Sequence, residues 1–221
     1  MTPDIEKEPW TATATVVDHV VRGSLARHLA RGRGGPLGTT GTVSPVILRG
    51  PRVTLRPATA DDVERLRSIR DEPEVSRWWG TLEPGELEGF VAEDTTFAIE
   101  TGGEVIGAIQ YAEERDPMYR HAAIDIYLTA RSHRRGLGSE AVRVLARFLI
   151  EERGHHRLTI DPATDNVAAI RAYEKVGFRP VGVMRSSERG PDGTWHDGLL
   201  MDLLADELTD GAPESGSAPG P

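Results

Sequence analysis

Cysteine is missing from all 221 residues. Its absence removes a disulfide scaffold, a thiolate-ligated zinc site and a thiol nucleophile, and fits a reducing compartment. Long apolar runs are missing too. No stretch reaches the ~20 residues that a membrane-spanning helix needs, and the first apolar run, from Ala12 to Val21, is broken by Asp18 and His19. No signal-peptide core precedes a cleavage site there, so a cytoplasmic location without a membrane partner is expected. Basic charge is scarce: 26 Lys and Arg stand against 35 Asp and Glu, for a formal charge of −9. That balance argues against nucleic acid as a partner, which needs basic surface. Residues 51–206 hold nearly all the acidic excess, with 28 acidic against 20 basic groups. Such a surface attracts cationic ligands, although ordinary solubility charge gives the same number.

What is present divides the chain into three. Residues 31–42 (RGRGGPLGTTGT) are glycine-rich, lack a hydrophobic period and read as a flexible linker. Upstream, Val16, Val20, Leu25 and Leu29 make one weak amphipathic helix, so residues 1–45 are expected to be an extension. Residues 209–221, which end in GAPESGSAPGP, read as a disordered tail. The folded domain is expected over residues 46–208. Within it, residues 52–56 alternate apolar and polar and stop at Pro57, as a strand does. Thr59 can cap a helix over 60–70, and Pro84 opens another over 85–91. Residues 95–100 and 105–113 read as a hairpin, and 122–128 as a further strand. A helix over 139–152, a strand over 157–160, a helix over 166–176 and strands over 178–184 and 195–204 follow. Antiparallel runs combined with strand-to-helix units predict a mixed α/β sheet with helices on its faces.

Two segments carry chemistry. The first is the turn His133, Arg134, Arg135, Gly136, Leu137, Gly138 and Ser139, between a strand and an amphipathic helix. Glycine at 136 and 138 removes side chains where backbone must come close to something. The helix start presents unpaired N–H groups and the positive end of the dipole, and two arginines add charge. An anion fits there, although a plain strand-to-helix turn fits as well. The turn is too short for a Walker loop and lacks the third glycine of a dinucleotide fingerprint. The second segment runs from Asn166 through Ala169 and Tyr173 to Phe178. Thr164 or Asp165 can cap its helix and Gly177 can close it. Asn166 alone reads as a cap, and Tyr173 alone as core.

Together the two segments resemble the GNAT superfamily of acetyl-CoA-dependent N-acetyltransferases, over about 150 residues from Val53 to Leu204. The family's pyrophosphate signature (Gln or Arg, two residues, Gly, one residue, then Gly or Ala) aligns with His133 to Gly138, departing at its first position. The downstream Asn, Ala-Ile and Tyr-Glu-Lys-x-Gly-Phe match from Asn166. The resemblance implies a splayed fourth strand over 124–128, whose backbone at Ile126, Tyr127 and Leu128 pairs with the pantetheine arm. It implies that residues 133–139, Asn166 and Ala169 border the coenzyme, with Tyr173 as proton donor to the leaving thiolate. No metal is expected.

The acceptor reading rests on other residues. Acyl transfer to an amine needs a base, because amines near pKa ~10 are protonated at neutral pH. Asp125 lies in an apolar strand, sharing a face with Ala123 and Tyr127, where a carboxylate is costly without a partner. A salt bridge to Arg120 or Arg131 is the alternative. Arg77-Trp78-Trp79-Gly80, Asp125, and Asp161-Pro162 ahead of Asn166 look similar to aminoglycoside 6'-N-acetyltransferases. That resemblance implies Asp125 as general base, Asp161 as partner for a drug ammonium, and Trp78 or Trp79 as a pocket wall. Core packing is the other reading of the tryptophans, though adjacent residues cannot both point inward on one face. Glu113, Glu114 and Asp116 read as a solvated loop. The expected substrate is a small cationic amine, an aminoglycoside, handled by a monomer or homodimer. The rivals are acetylation of a protein N-terminus or a siderophore hydroxylysine, and a non-catalytic coenzyme-binding module. Ser68-Ile69-Arg70 stands where the siderophore group carries a His-Trp pair, and intact Asp125 and Tyr173 argue against a silent module.

Overall fold

Eight strands hydrogen-bond into one sheet in the order β1-β2-β3-β4-β5-β6-β8-β7 in a computed structural model that describes residues 46–210. The strands are β1 (Leu48–Arg49), β2 (Thr54–Pro57), β3 (Thr96–Thr101), β4 (Glu104–Glu114), β5 (His121–Leu128), β6 (Arg157–Ile160), β7 (Arg179–Arg189) and β8 (Trp195–Leu204). The helices are α1 (Val63–Arg70), α2 (Pro73–Trp79), α3 (Glu86–Val91), α4 (Leu137–Glu151) and α5 (Val167–Glu174). The mixed α/β architecture is the expected one. The two-residue β1 was not foreseen, so the strand expected as fourth is fifth. The expected extension over 1–45 and residues 211–221 of the expected tail lie outside the described residues. Contacts continue past 208, since Thr209 N–H donates to the Val176 carbonyl at 3.0 Å.

Strand alternation builds two cores. Phe97, Ile99, Ile109, Tyr111, Ile124 and Leu128 face one way, against α4 and α5. Ala98, Ala108 and Tyr127 face the other way, against Leu66 and Ile69 of α1, Val75 of α2 and Leu87 and Phe90 of α3. Alanines at 98 and 108 leave room for the helices, and Tyr127 fills the gap beside them. On α4, Leu137, Ala141, Val142, Leu145, Ala146 and Leu149 are buried at spacings of three and four. Burying a leucine there is worth about 1.5–3 kcal/mol, so this stripe fixes how the helix start approaches the sheet.

Some local expectations need correction. Residues 60–62 form a 3-10 turn before α1 begins at Val63. Helix α2 was missed; Pro73 sits in its first turn, and Gly80 ends it at φ 70°. Helix α5 is capped by Asn166, whose Oδ1 accepts from Ala169 N–H at 3.2 Å, and not by Thr164 or Asp165. Gly177 follows α5 at φ 118°, where a Cβ would lie 2.3 Å from the Glu207 carbonyl oxygen. Only glycine fits.

The pairing of β5 sets the position of the site. Strand β5 pairs with β4 along its whole length. Its parallel pairing with β6 stops after Ala122–Leu158 and Ala123–Thr159. From Ile124 to Leu128 the two strands part, while β6 stays paired with β8 along its other edge from Arg157 to Ile160. The expected splay at 124–128 is therefore present.

Candidate active site

The wedge between β5 and β6 has a carboxylate on each wall. Asp125 stands on β5 just past the last β6 pairing, on the face of Tyr127, as its strand position requires. Asp161 follows β6 directly. Tyr173, buried on α5, is close enough to both that their charges act on its phenol. Burial first, then the charge of Asp125, lifts Asp161 to about 7, against 3.8 ordinarily. Burial, then Asp125 and Asp161, pushes the Tyr173 phenol above the usual tyrosine range. The fold thus brings to Asp125 two residues that lie 36 and 48 positions away in the chain. Two neighbouring carboxylates and a protonated phenol can take a proton at one point and deliver one at another.

At the far end of the wedge lies the glycine turn. Arg134 and Gly136 adopt positive φ, 57° and 75°, which swings the backbone into the start of α4. The first helical bond is made by Glu140 N–H to the Gly136 carbonyl at 3.0 Å. The N–H groups of Leu137, Gly138 and Ser139 precede it, as the leading donors of a helix do. A Cβ on Gly138 would lie 3.3 Å from Leu128 Cδ1, and one on Gly136 3.1 Å from Arg52 Nη2. Arg134 and Arg135 are exposed at this mouth. His133 turns back: its Nε2 is 2.9 Å from the Leu128 carbonyl oxygen. The edge of β5 left open past Ala123 leads to the glycine turn at its end. It suits a long ligand with an extended polar arm and an anionic centre.

The adjacent tryptophans part company, as the sequence required. Trp79 packs inward, its ring 5.0 Å from that of Tyr127, with the Arg70 guanidinium 4.9 Å from its centre. Trp78 carries the Arg77 guanidinium at 4.3 Å from its ring centre and lines a pocket with Ala163, Asp165, Glu188 and His196. The expected salt-bridge partners of Asp125 are engaged elsewhere. Arg131 pairs with Glu104, and Arg120 donates to the Arg153 carbonyl at 2.5 Å. Glu113 is not solvated: it is buried between Arg153 at 2.8 Å and His155 at 2.8 Å. Arg153, then His155, holds its carboxyl down to about 2 despite burial. Sequence reading also passed over Glu72, whose oxygens accept from Thr129 Oγ1 at 2.7 Å and Ala130 N–H at 2.6 Å. It ties the start of α2 to the end of β5, and its place ahead of Pro73 was the available signal. Among the described residues, no group of three or more His, Asp or Glu could hold a metal ion, and no helix is long and apolar enough to cross a membrane.

Comparison with known proteins agrees with this geometry. Residues 52–179 match the acetyltransferase (GNAT) domain family. Aminoglycoside N(6')-acetyltransferase type 1 of Klebsiella pneumoniae is 30% identical over 164 residues, covering 64% of this chain and 79% of that protein. A kanamycin resistance protein of Rhizobium radiobacter is 37% identical over 84 residues, covering 38% of this chain and 72% of that one. Mycobacterium smegmatis RimJ, solved in complex with CoA-disulfide, has the same fold at a TM-score of 0.65 and 23% identity, over 76% of this chain and 90% of that one. Acetyl-CoA is the acyl donor of the GNAT family, and this chain belongs to it as an acetyl-CoA-dependent N-acetyltransferase.

Proposed function

We propose that the enzyme transfers acetyl from acetyl-CoA to an amine of an aminoglycoside, the 6'-amino group, and so confers resistance in the cytoplasm. The observation that carries this reading is the wedge with Asp125 and Asp161 on opposite walls, next to Tyr173. A single amine needs one base. A second, half-buried carboxylate whose ionisation the first opposes suits an acceptor with several ammonium groups. The names of the relatives at 30% and 37% identity support the same substrate class.

The residues divide the work. Backbone at Ile126, Tyr127 and Leu128, on the open edge of β5, pairs with the pantetheine arm. The N–H groups at the α4 start, with Arg134 and Arg135, hold the pyrophosphate. His133, bonded to the Leu128 carbonyl, shapes the strand end, and Asn166 and Ala169 border the arm at the start of α5. Trp78 forms a wall of the acceptor pocket; Trp79 supports that wall from the core. An Asp125 oxygen takes one proton from the acceptor ammonium, while Asp161 holds a second ammonium in place. When bound, the thioester supplies the acetyl group: an N–C bond forms, the C–S bond breaks, and the sulfur leaves needing a proton. The Tyr173 hydroxyl gives that proton and regains one from the acceptor nitrogen, so no tyrosinate accumulates beside two carboxylates. One proton per turnover leaves through Asp125.

The test is thiol release from acetyl-CoA with kanamycin or tobramycin, compared with peptide N-termini and simple polyamines. Release with the drugs is expected, slowed about 10²-fold or more in Asp125→Asn, the scale of general-base loss. No release with any 2-deoxystreptamine drug would remove the substrate reading and leave the family intact.

A further inference from the structure

Buried polar atoms ordinarily find partners, and Oε1 of Gln110 has none. Gln110 is fully buried in β4, and its Nε2 donates to Thr96 Oγ1 on β3 at 2.8 Å. The strand register relates the orphaned oxygen to the chemistry. Gln110 opposes Thr96 on one side and Asp125 on the other. Directly opposed residues of antiparallel strands put their side chains on one face, with Cβ atoms about 5 Å apart. Thr96, Gln110 and Asp125 therefore make a polar row across three strands. The same face carries Ala98, Ala108 and Tyr127 in its apolar core. Within that row Thr96 holds the amide nitrogen, which leaves the carbonyl end for the Asp125 side. A carboxylate offers no proton to a carbonyl oxygen, whereas a neutral carboxyl does. A neutral carboxyl on Asp125 would therefore be a partner for the orphan where a carboxylate is not.

We propose that Gln110 is a positioning residue for the base, its Oε1 accepting a hydrogen bond from Asp125 while that carboxyl carries the proton taken from the acceptor. The inference rests on Asp125 as base. A hydrogen bond to the neutral form makes a carboxylate a better proton acceptor, so the row raises the basicity of Asp125 without adding charge. The other groups acting there are Asp161 after β6 and Tyr173 on α5. Arg70 of α1 and Glu86 of α3 act farther along the face, on Tyr127.

Two measurements test the role. Carbon-13 carboxyl NMR of the full chain, with the Asp125 signal identified by its loss in Asp125→Asn, gives its titration midpoint without any acceptor. Gln110→Leu should lower that midpoint by about one pH unit, the scale of one lost hydrogen bond. The acid limb of kcat/KM for kanamycin acetylation, followed by thiol release, should move the same way. Thr96→Val, which frees the amide, should give a smaller downward shift, and Thr96→Ser should restore the wild-type value; these stand if Gln110→Leu fails to fold. An unmoved midpoint would make Gln110 merely structural, and an upward shift would mean that the amide donates to the carboxylate; either overturns the proposal. Full activity in Asp125→Asn would remove the base itself, whatever the midpoint does. An inactive Asp125→Asn with a fixed midpoint would remove only the role of Gln110.

Discussion

Acceptor binding should expel a proton from the wedge. Desolvation, then the charge of Asp125, holds the Asp161 carboxyl well above the ordinary carboxylate range, at about 7. An ammonium placed between the two carboxylates cancels that repulsion and returns Asp161 towards the ordinary carboxylate value of ~4. At pH 6 the free group is mostly protonated and the bound one mostly ionised, so a large part of one proton should leave per acceptor bound. The acceptor's own amines stay protonated at that pH and contribute little. Titration calorimetry with kanamycin in two buffers of different ionisation enthalpy counts the released protons. Release should fall to near zero in Asp161→Asn. The reasoning fails if the wild type shows no buffer dependence at pH 6, or if Asp161→Asn releases as much. Stability follows with a defined sign. A carboxyl whose folded value lies above its unfolded value favours the fold at low pH and loses that contribution as pH rises through about 7. Asp161 is half-buried, and after solvent screening the loss should be about 2 kcal/mol. Asp161→Asn should therefore melt several degrees higher than wild type at pH 8 and level with it near pH 4.

Three further perturbations separate the parts. Gly136→Ala places a side chain at φ 75°, 3.1 Å from Arg52 Nη2. The left-handed conformation costs about 1–2 kcal/mol, so KM for acetyl-CoA should rise about tenfold while the acceptor KM stays within about twofold; an equal rise in both would contradict a coenzyme role. Trp78→Ala should raise the acceptor KM with an unchanged melting temperature. Trp79→Ala, which empties the contact with Tyr127, should cost about 3 kcal/mol in a thermal melt; the reverse pattern would exchange their roles. Glu113→Gln should destabilise by about 1–2 kcal/mol in urea at pH 7, because it removes the charge of a buried carboxylate paired with the part-exposed Arg153. Glu113 is held down to about 2 against 4.5. Its contribution is therefore present above the ordinary value and lost as pH falls through about 2, so wild type and variant should converge there. Acetylation per folded molecule should not change.

Local pattern made much of this legible in the sequence. Alternation in β5 put Asp125 on the face of Tyr127, and the spacing on α4 put its apolar stripe on the sheet. Glycines 136 and 138 marked the start of α4, and the adjacency of Trp78 and Trp79 required that one leave the core. What escaped was of two kinds. Helix α2 carried a readable start at Pro73 and stop at Gly80, but its seven residues are too few for a period to stand out. Glu113 and Gln110 escaped for another reason. Neither has a clear local signal: beside the exposed Arg115, the partners that bury Glu113 are 40 and 42 residues away. The link from Gln110 to Asp125 exists only once β4 and β5 have found their register.

Only two residue pairs join β5 to β6, and this gives an interior strand the exposed backbone of an edge. Elsewhere such an edge invites pairing with any extended chain and is a route to aggregation. Here the opening narrows towards Ala123, and a carboxylate stands on each side of it. An intruding peptide would have to desolvate Asp125 and Asp161 for no compensating charge. The pair that suits a polycation therefore also screens the strand against its own kind. Replacing both carboxylates should therefore lower the protein's solubility as well as its activity.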